Sequence, residues 1–113
     1  METTTAKAGV KTEPARTKVF RALGTMNTIQ AFGAGAGGAL ERAARRVLEL
    51  DDRLSVFKPE SDIARLNASA GVRPVPVGGD AMRLLAAGRR YSAETGGAFS
   101  MTTRPLTALW SLH

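Results

Sequence analysis

The spacing of apolar residues changes several times along the chain, and each change predicts an element. From Thr17 to Phe32 the run is β-branched and aromatic, with Val19, Phe20, Leu23, Thr25, Thr28, Ile29 and Phe32. It predicts one long strand bent near Gly24 or the two strands of a hairpin, because glycine within a strand marks a bulge, a bend or a close approach. Gly33 to Gly38 reads as a glycine-rich connector. Leu40, Ala43, Ala44, Val47, Leu50, Leu54 and Phe57 then recur at intervals of three and four, the period of an amphipathic helix. Its other face carries Glu41, Arg42, Arg45, Arg46, Glu49 and Asp52.

Lys58-Pro59 closes that helix, since the residue before proline avoids the helical region. Ser61 is a suitable N-cap for a short helical turn over 62–67. Residues 72–77 contain Pro74 and Pro76, which allows at most a short edge strand. Asp80 is placed to cap a second full helix over 81–94, with Leu84, Leu85, Gly88 and Tyr91 on one face and Gly96-Gly97 at its end. Gly88 reads as a close helix–sheet contact. Residues 98–110, with Pro105 in their middle, are assigned no element. The expectation is an α+β fold of antiparallel strands with two main helices packed on them. Residues 1–16, rich in Thr, Ala and Lys without periodicity, are expected to form a disordered basic tail before a domain over 17–113.

A length of 113 residues allows one domain, and 43% hydrophobic with 23% charged residues suits a globular chain. The absence of Cys excludes disulfides, zinc–thiolate sites and a thiol nucleophile, and a single His excludes a multi-histidine metal site. No apolar run reaches the roughly 20 residues of a membrane span, and the N-terminus has no signal-peptide core, so no membrane and a cytoplasmic location are expected. The net charge of +6 raises nucleic acid as a partner. Five cations fall within the first 21 residues, the rest are interleaved with acids, and no basic strand carries stacking aromatics, so solvated faces and no nucleic-acid partner are the preferred reading.

Gly33, Gly35 and Gly38 match G-x-G-x-x-G, whose glycines let a pyrophosphate approach backbone amides. The parallel strand and terminal acid of a dinucleotide fold do not follow, and Asp51 and Asp52 fall on the helix instead. Those two point about 100° apart on a helix and are read as an exposed face rather than a metal site. His113, at the terminus, is not expected to be catalytic. Two segments are more specific. One runs from Asp52 through Leu54-Ser55-Val56-Phe57 and Pro59 to Ser61 and Leu66-Asn67; the other from Thr95-Gly96-Gly97-Ala98-Phe99-Ser100 to Pro105-Leu106 and Leu109-Trp110. The second reads equally as a helix cap with an ordinary loop, or as small residues offering amides to a flat or phosphorylated ligand.

Together these segments resemble the FAD:protein FMN transferase family known as ApbE. The family pattern has Met-Gly-Thr in an early strand, a helix ending in Leu-Ser-x-Tyr, a loop to Ser-x-(Ile/Leu)-x-x-(Leu/Phe)-Asn, and Thr-Gly-Gly-Ala-Phe-Asp-x-Thr-x-Gly-Pro-Leu-x-x-Leu-Trp-Gly. Here these stand as Leu23-Gly24-Thr25, Leu54 to Phe57, Ser61 to Asn67, and Thr95 to Trp110. The chain departs from the pattern with Leu23 for Met, Phe57 for Tyr, Ser100 for Asp, Arg104 for Gly and Ser111 for Gly.

The resemblance implies transfer of FMN from FAD to a Thr or Ser hydroxyl of a target flavoprotein, assisted by Mg²⁺. It implies FAD contacts at Leu23, Phe57, Ala98, Phe99 and Ser100, with Phe57 packing on a ring. On the residues alone, Phe57 reads equally as a core residue closing the first helix. The family's metal-binding positions match no residue here, so no catalytic or metal-binding residue is assigned. The expectation is the N-terminal part of a larger flavin transferase domain, catalytically incomplete, with an uncovered core face prone to self-association. The alternative is a non-catalytic flavin- or partner-binding module.

Overall fold

The computed structural model describes residues 14–110. Most of the expected tail, residues 1–13, and His113 lie outside the described residues. The order is two strands followed by four helices, an α+β chain. Among the described residues the longest helices are α1 (Ala36–Leu54) and α3 (Gly79–Glu94), at 19 and 16 residues. Contacts divide the chain into two units at Leu48, within α1.

In the first unit the hairpin is realised. Strand β1 (Arg16–Ala22) pairs antiparallel with β2 (Thr25–Ala31), with Val19 opposite Thr28 and Ala22 opposite Thr25. Leu23 and Gly24 form the two-residue turn at φ of 55° and 73°, the both-positive pattern of a type I′ hairpin, whose twist matches the strands. Asn27 donates through Nδ2 to the carbonyls of Ala22 at 2.9 Å and Thr25 at 3.2 Å. Gly33, at φ 94°, turns the chain into α1 (Ala36–Leu54), and its carbonyl accepts the Ala36 amide at 3.0 Å. The expected connector is therefore shorter: Gly37 and Gly38 are helical because that turn and the burial of Ala36 start the helix before them. Ala22, Ala36, Leu40 and Ala44 are buried, whereas Ala43, on the expected apolar face, is exposed. Lys18 Nζ reaches Glu41 Oε1 at 2.7 Å across the strand–helix contact.

The second unit takes the end of α1, then α2 (Asp62–Ser69), α3 (Gly79–Glu94) and α4 (Arg104–Leu109). Helix α1 stops at Leu54, so Phe57 lies in the following loop and is 68% exposed; the reading of Phe57 as a core residue closing the helix is corrected. Ser55 causes the break. Its Oγ accepts the amides of Phe57 at 3.1 Å and Lys58 at 3.3 Å, offering the backbone an alternative to another helical turn. Ser61 is the expected N-cap, accepting the Ala64 amide at 3.0 Å, and its hydroxyl also donates to the Ser55 carbonyl. Asp62 accepts the Gly78 amide at 3.0 Å and pairs with Arg65 at 2.5 Å. Residues 73–78, the proline-containing segment, hold no strand.

Three expectations for the later chain are corrected. Asp80 does not cap α3: the cap is Gly78, which makes no side-chain cap bond, and Asp80 sits in the first turn paired with Arg83. Asp62 instead supplies the acceptor for the Gly78 amide at that helix start. The close neighbour of Gly88 is the Met101 side chain, whose sulfur a Cβ there would meet. Residues 104–109 are helical, with Pro105 in the first turn, where its missing N–H costs no intrahelical bond. The expected glycine ending of α3 holds: Gly96 and Gly97 have φ of 59° and 86°, and the Gly97 amide reaches the Ser92 carbonyl at 2.8 Å.

The Gly78 amide, then Arg65, holds Asp62 below its ordinary pKa. A lowered folded-state pKa means that the unfolded chain binds the proton more readily. The stability Asp62 supplies is complete above its unfolded value of about 3.9 and is lost as pH falls through the lower folded value. Chemical denaturation between neutral pH and pH 2 should show that acid-side loss, and Asp62→Asn should flatten it while lowering stability at neutral pH. An unchanged acid slope in Asp62→Asn would remove this account.

Candidate functional site

The second unit carries two grooves beside the loop of Phe57. One, of about 560 Å³, is lined by Val56, Phe57, Pro59, Ala64, Arg73 and neighbouring residues. The other, of about 580 Å³, is lined by Leu54, Val56, Ile63, Leu66, Leu84, Leu85, Tyr91, Phe99, Met101 and Arg104, among others. Leu84 and Tyr91, on the expected core face of α3, are 49% and 46% exposed, so that face stands open as the groove wall.

The candidate residues are therefore distributed. Phe57 lines the first groove and Phe99 the second, while Ala98 and Ser100 line neither. Val56 lines both, and the Arg104 guanidinium stands 5.4 Å from the centre of the Phe57 ring. Phe99 meets Tyr91 edge-on, with centroids 6.4 Å apart and an interplanar angle of 84°. Leu23 belongs to the first unit, at the hairpin turn, 57% exposed.

The loop after α3 is held from within. Thr95 Oγ1 donates to the Tyr91 carbonyl at 2.7 Å and accepts the Phe99 amide at 3.0 Å. The Ala98 amide donates to the Thr95 carbonyl at 3.2 Å, and the Ser100 hydroxyl pairs with Thr102 Oγ1 at 3.0 Å. Two of the three amides considered for ligand contact are thus already donating, and what the loop presents to the groove is the ring of Phe99.

The carboxylate pair also differs from expectation. Lys58 Nζ lies 2.9 Å from Asp51 Oδ2 and 2.6 Å from Asp52 Oδ1, so the two acids do converge on one cation, reached by a flexible lysine stem. Hydrogen bonds from Lys58 to Asp52, then Asp51, hold its pKa above the ordinary lysine value. Only Asp52 is well exposed, at 73% of its side chain against 19% for Asp51. Among the described residues no group of three His, Cys, Asp or Glu side chains could hold a metal ion. No helix among them is long and apolar enough to cross a membrane.

Reading from sequence treated Arg104 only as a departure and did not single out Tyr91 or Met101 for the groove. The available signal for Arg104 was its place beside Pro105, which favours a helix start and so fixes where the guanidinium emerges.

Comparison with known sequences agrees with the motif order. A sequence model of the ApbE family matches residues 23–113, and the chain belongs to that family. It is similar to the FAD:protein FMN transferase of Klebsiella pneumoniae (strain 342), 37% identical over 73 residues, covering 64% of this chain and 21% of the relative. The enzyme of that name from Salmonella typhimurium is 30% identical over 112 residues, covering 96% of this chain and 31% of the relative. That from Escherichia coli K12 is 31% identical over 84 residues, covering 74% and 24%. The chain thus spans between about a fifth and a third of the length of these relatives.

Two substitutions test this geometry. Gly88→Ala gains helix propensity of about 1 kcal/mol but drives a methyl into Met101. Because the thioether is the flexible end of an exposed side chain, it can move aside. The gain in melting temperature from Gly88→Ala is therefore expected to be smaller in the wild-type background than in Met101→Ala; equal gains in both backgrounds would show that Met101 is not the obstacle. Leu23 has a φ at which L-residues other than Asn and Asp lose roughly 1–2 kcal/mol. Leu23→Asn should therefore stabilise the hairpin by about 1 kcal/mol in denaturant unfolding, and a loss of stability would contradict a turn strained by leucine.

Proposed function

We propose that this chain is part of an FAD:protein FMN transferase and that it contributes flavin-facing surface rather than the reacting centre. Its membership in the ApbE family over residues 23–113 carries the reading, and three relatives bearing that activity in their names support it. In the proposed reaction the acceptor Thr or Ser hydroxyl of a target flavoprotein attacks the phosphorus on the FMN side of the FAD pyrophosphate. The bond to the AMP phosphate breaks, AMP leaves, and the hydroxyl proton passes to a base.

Mg²⁺, which the resemblance implies, does not fit the described residues, since no three suitable ligands assemble and Lys58 occupies the Asp51–Asp52 pair. No step is assigned to the metal here. The proposed role of the chain is to bind. Phe57, exposed and held by the Ser55 turn, offers a ring face to the flavin or adenine, and Phe99 offers a second aromatic surface; Leu23, in the first unit, is proposed separately as an apolar contact. A strained, exposed apolar residue such as Leu23 has a reason to persist if it meets a ligand.

The test is FAD fluorescence anisotropy with the 113-residue chain, its folding checked by far-UV circular dichroism. Saturable binding is expected, weakened severalfold by Phe57→Ala, with no FMN transferred to a Thr-containing acceptor peptide in Mg²⁺ or in EDTA. A folded chain that binds no FAD would withdraw the flavin surface from this segment, and Mg²⁺-dependent transfer would overturn the assignment of a binding part only.

A further inference from the structure

Arg104 is the one charged residue that lines the apolar groove of Leu54, Ile63, Leu84, Tyr91, Phe99 and Met101. The centre of its guanidinium lies over the Phe57 ring, 5.4 Å from the centroid, a cation–π contact that leaves the charge and the donors of the guanidinium in place. Among the described residues it forms no ion pair and its N–H groups meet no protein acceptor. Three other arginines of this unit are engaged by acids, Arg65 with Asp62, Arg83 with Asp80 and Arg90 with Glu94, while Arg73 lines the neighbouring groove of Phe57 rather than this one.

An apolar trough edged by aromatic rings, with one fork of five donors at its rim, complements a ligand that joins a flat apolar ring to an anionic group. Guanidinium and phosphate oxygens match in geometry, and a charge-assisted bond is about twice as strong as a neutral one. The contact with Phe57 holds the guanidinium beside the groove before a ligand arrives, so less rotamer entropy remains to be lost on binding.

We propose that Arg104 is the residue by which this chain distinguishes phosphorylated from unphosphorylated flavins, Phe57 holding its guanidinium in place for a phosphate oxygen. The assignment rests on the flavin reading above and adds to it the part of the ligand recognised and the residue that recognises it. Phe57 then has a second task as the platform for Arg104, so its ring acts on the phosphate as well as on a ligand ring.

The experiment compares riboflavin, FMN and FAD by fluorescence anisotropy with the full 113-residue chain, at low and at physiological ionic strength. The wild-type chain should prefer FMN and FAD over riboflavin. Arg104→Gln should remove about tenfold of that preference while leaving the riboflavin Kd unchanged. Phe57→Leu, which keeps bulk but removes the ring face, should lower the preference in the same direction. Arg89→Gln, an exposed arginine of α3 that lines neither groove, should leave it intact.

Equal weakening of all three flavins by Arg104→Gln would make Arg104 a packing residue and overturn the proposal, as would an equal effect of Arg89→Gln. Flavin binding with no preference for phosphate would overturn the Arg104 assignment and leave the flavin reading standing. A folded chain that binds none of the three would overturn both.

Discussion

Two adjacent polar side chains hold the helical unit together. Ser61 is 1% exposed and is the largest side chain fully withdrawn from solvent among the described residues; Asp62 beside it is 7% exposed. Ser61 faces backwards and forwards, donating to the Ser55 carbonyl where α1 has ended and accepting the Ala64 amide where α2 begins. Asp62 reaches across to the Gly78 amide, where α3 begins. Three helix termini thus meet at two residues, each end having backbone groups that would otherwise need water or another partner. Polar groups buried this completely are favourable only when satisfied, and no buried side-chain nitrogen or oxygen among the described residues is left without a partner. The Ser55 turn and the Ser61 cap give a physical reason for the serines of the first motif that does not depend on a ligand: they end one helix, start the next, and leave Phe57 exposed between them.

A junction of this kind specifies where the helices start without covering their faces. Among the described residues the buried apolar side chains are few and small, four alanines and Leu40. Leu84, Tyr91 and Phe99, which line one groove, remain exposed at 45% or more. Exposed large apolar groups gathered along a groove are informative in a way that scattered ones are not, because they mark a surface suited to burial.

Much of the fold was legible because its signals are local. A β-branched and aromatic run broken at Gly24 left a bent strand or a hairpin as the choices, a three-and-four spacing located α1, and the Gly96-Gly97 pair located the end of α3. The readings that failed depended on a partner distant in sequence. Asp80 has the chemistry of a cap, yet Asp62, 16 residues before Gly78, supplies the acceptor there. The Asp51–Asp52 pair looked divergent by helix geometry until Lys58, from beyond the helix end, closed on both. Gly88 did mark a close approach, but by a methionine of the following loop rather than by a strand. Of the candidate site, Phe57 and Phe99 were singled out by resemblance and prove to be exposed, whereas the Thr95 hydrogen bond that occupies the Phe99 amide was not legible.

Arg104 shows why a departure from a family pattern needs its surroundings before it can be interpreted. In the pattern its place is held by Gly and that of Ser100 by Asp, so both changes move the loop in the positive direction, one by gaining a cation and the other by losing an anion. Considered alone, an arginine for a glycine suggests a spoiled turn, but Arg104 opens α4 without a positive φ and needs none of glycine's freedom. The cation has also not been neutralised by the loop around it, since Ser100 is engaged with Thr102 and the nearest recorded partner of the guanidinium is an aromatic face. A stacked arginine retains its charge and its donors, so the groove keeps one anion-seeking edge among apolar walls. That asymmetry makes a ring bearing a phosphate a better complement to the groove than either component alone.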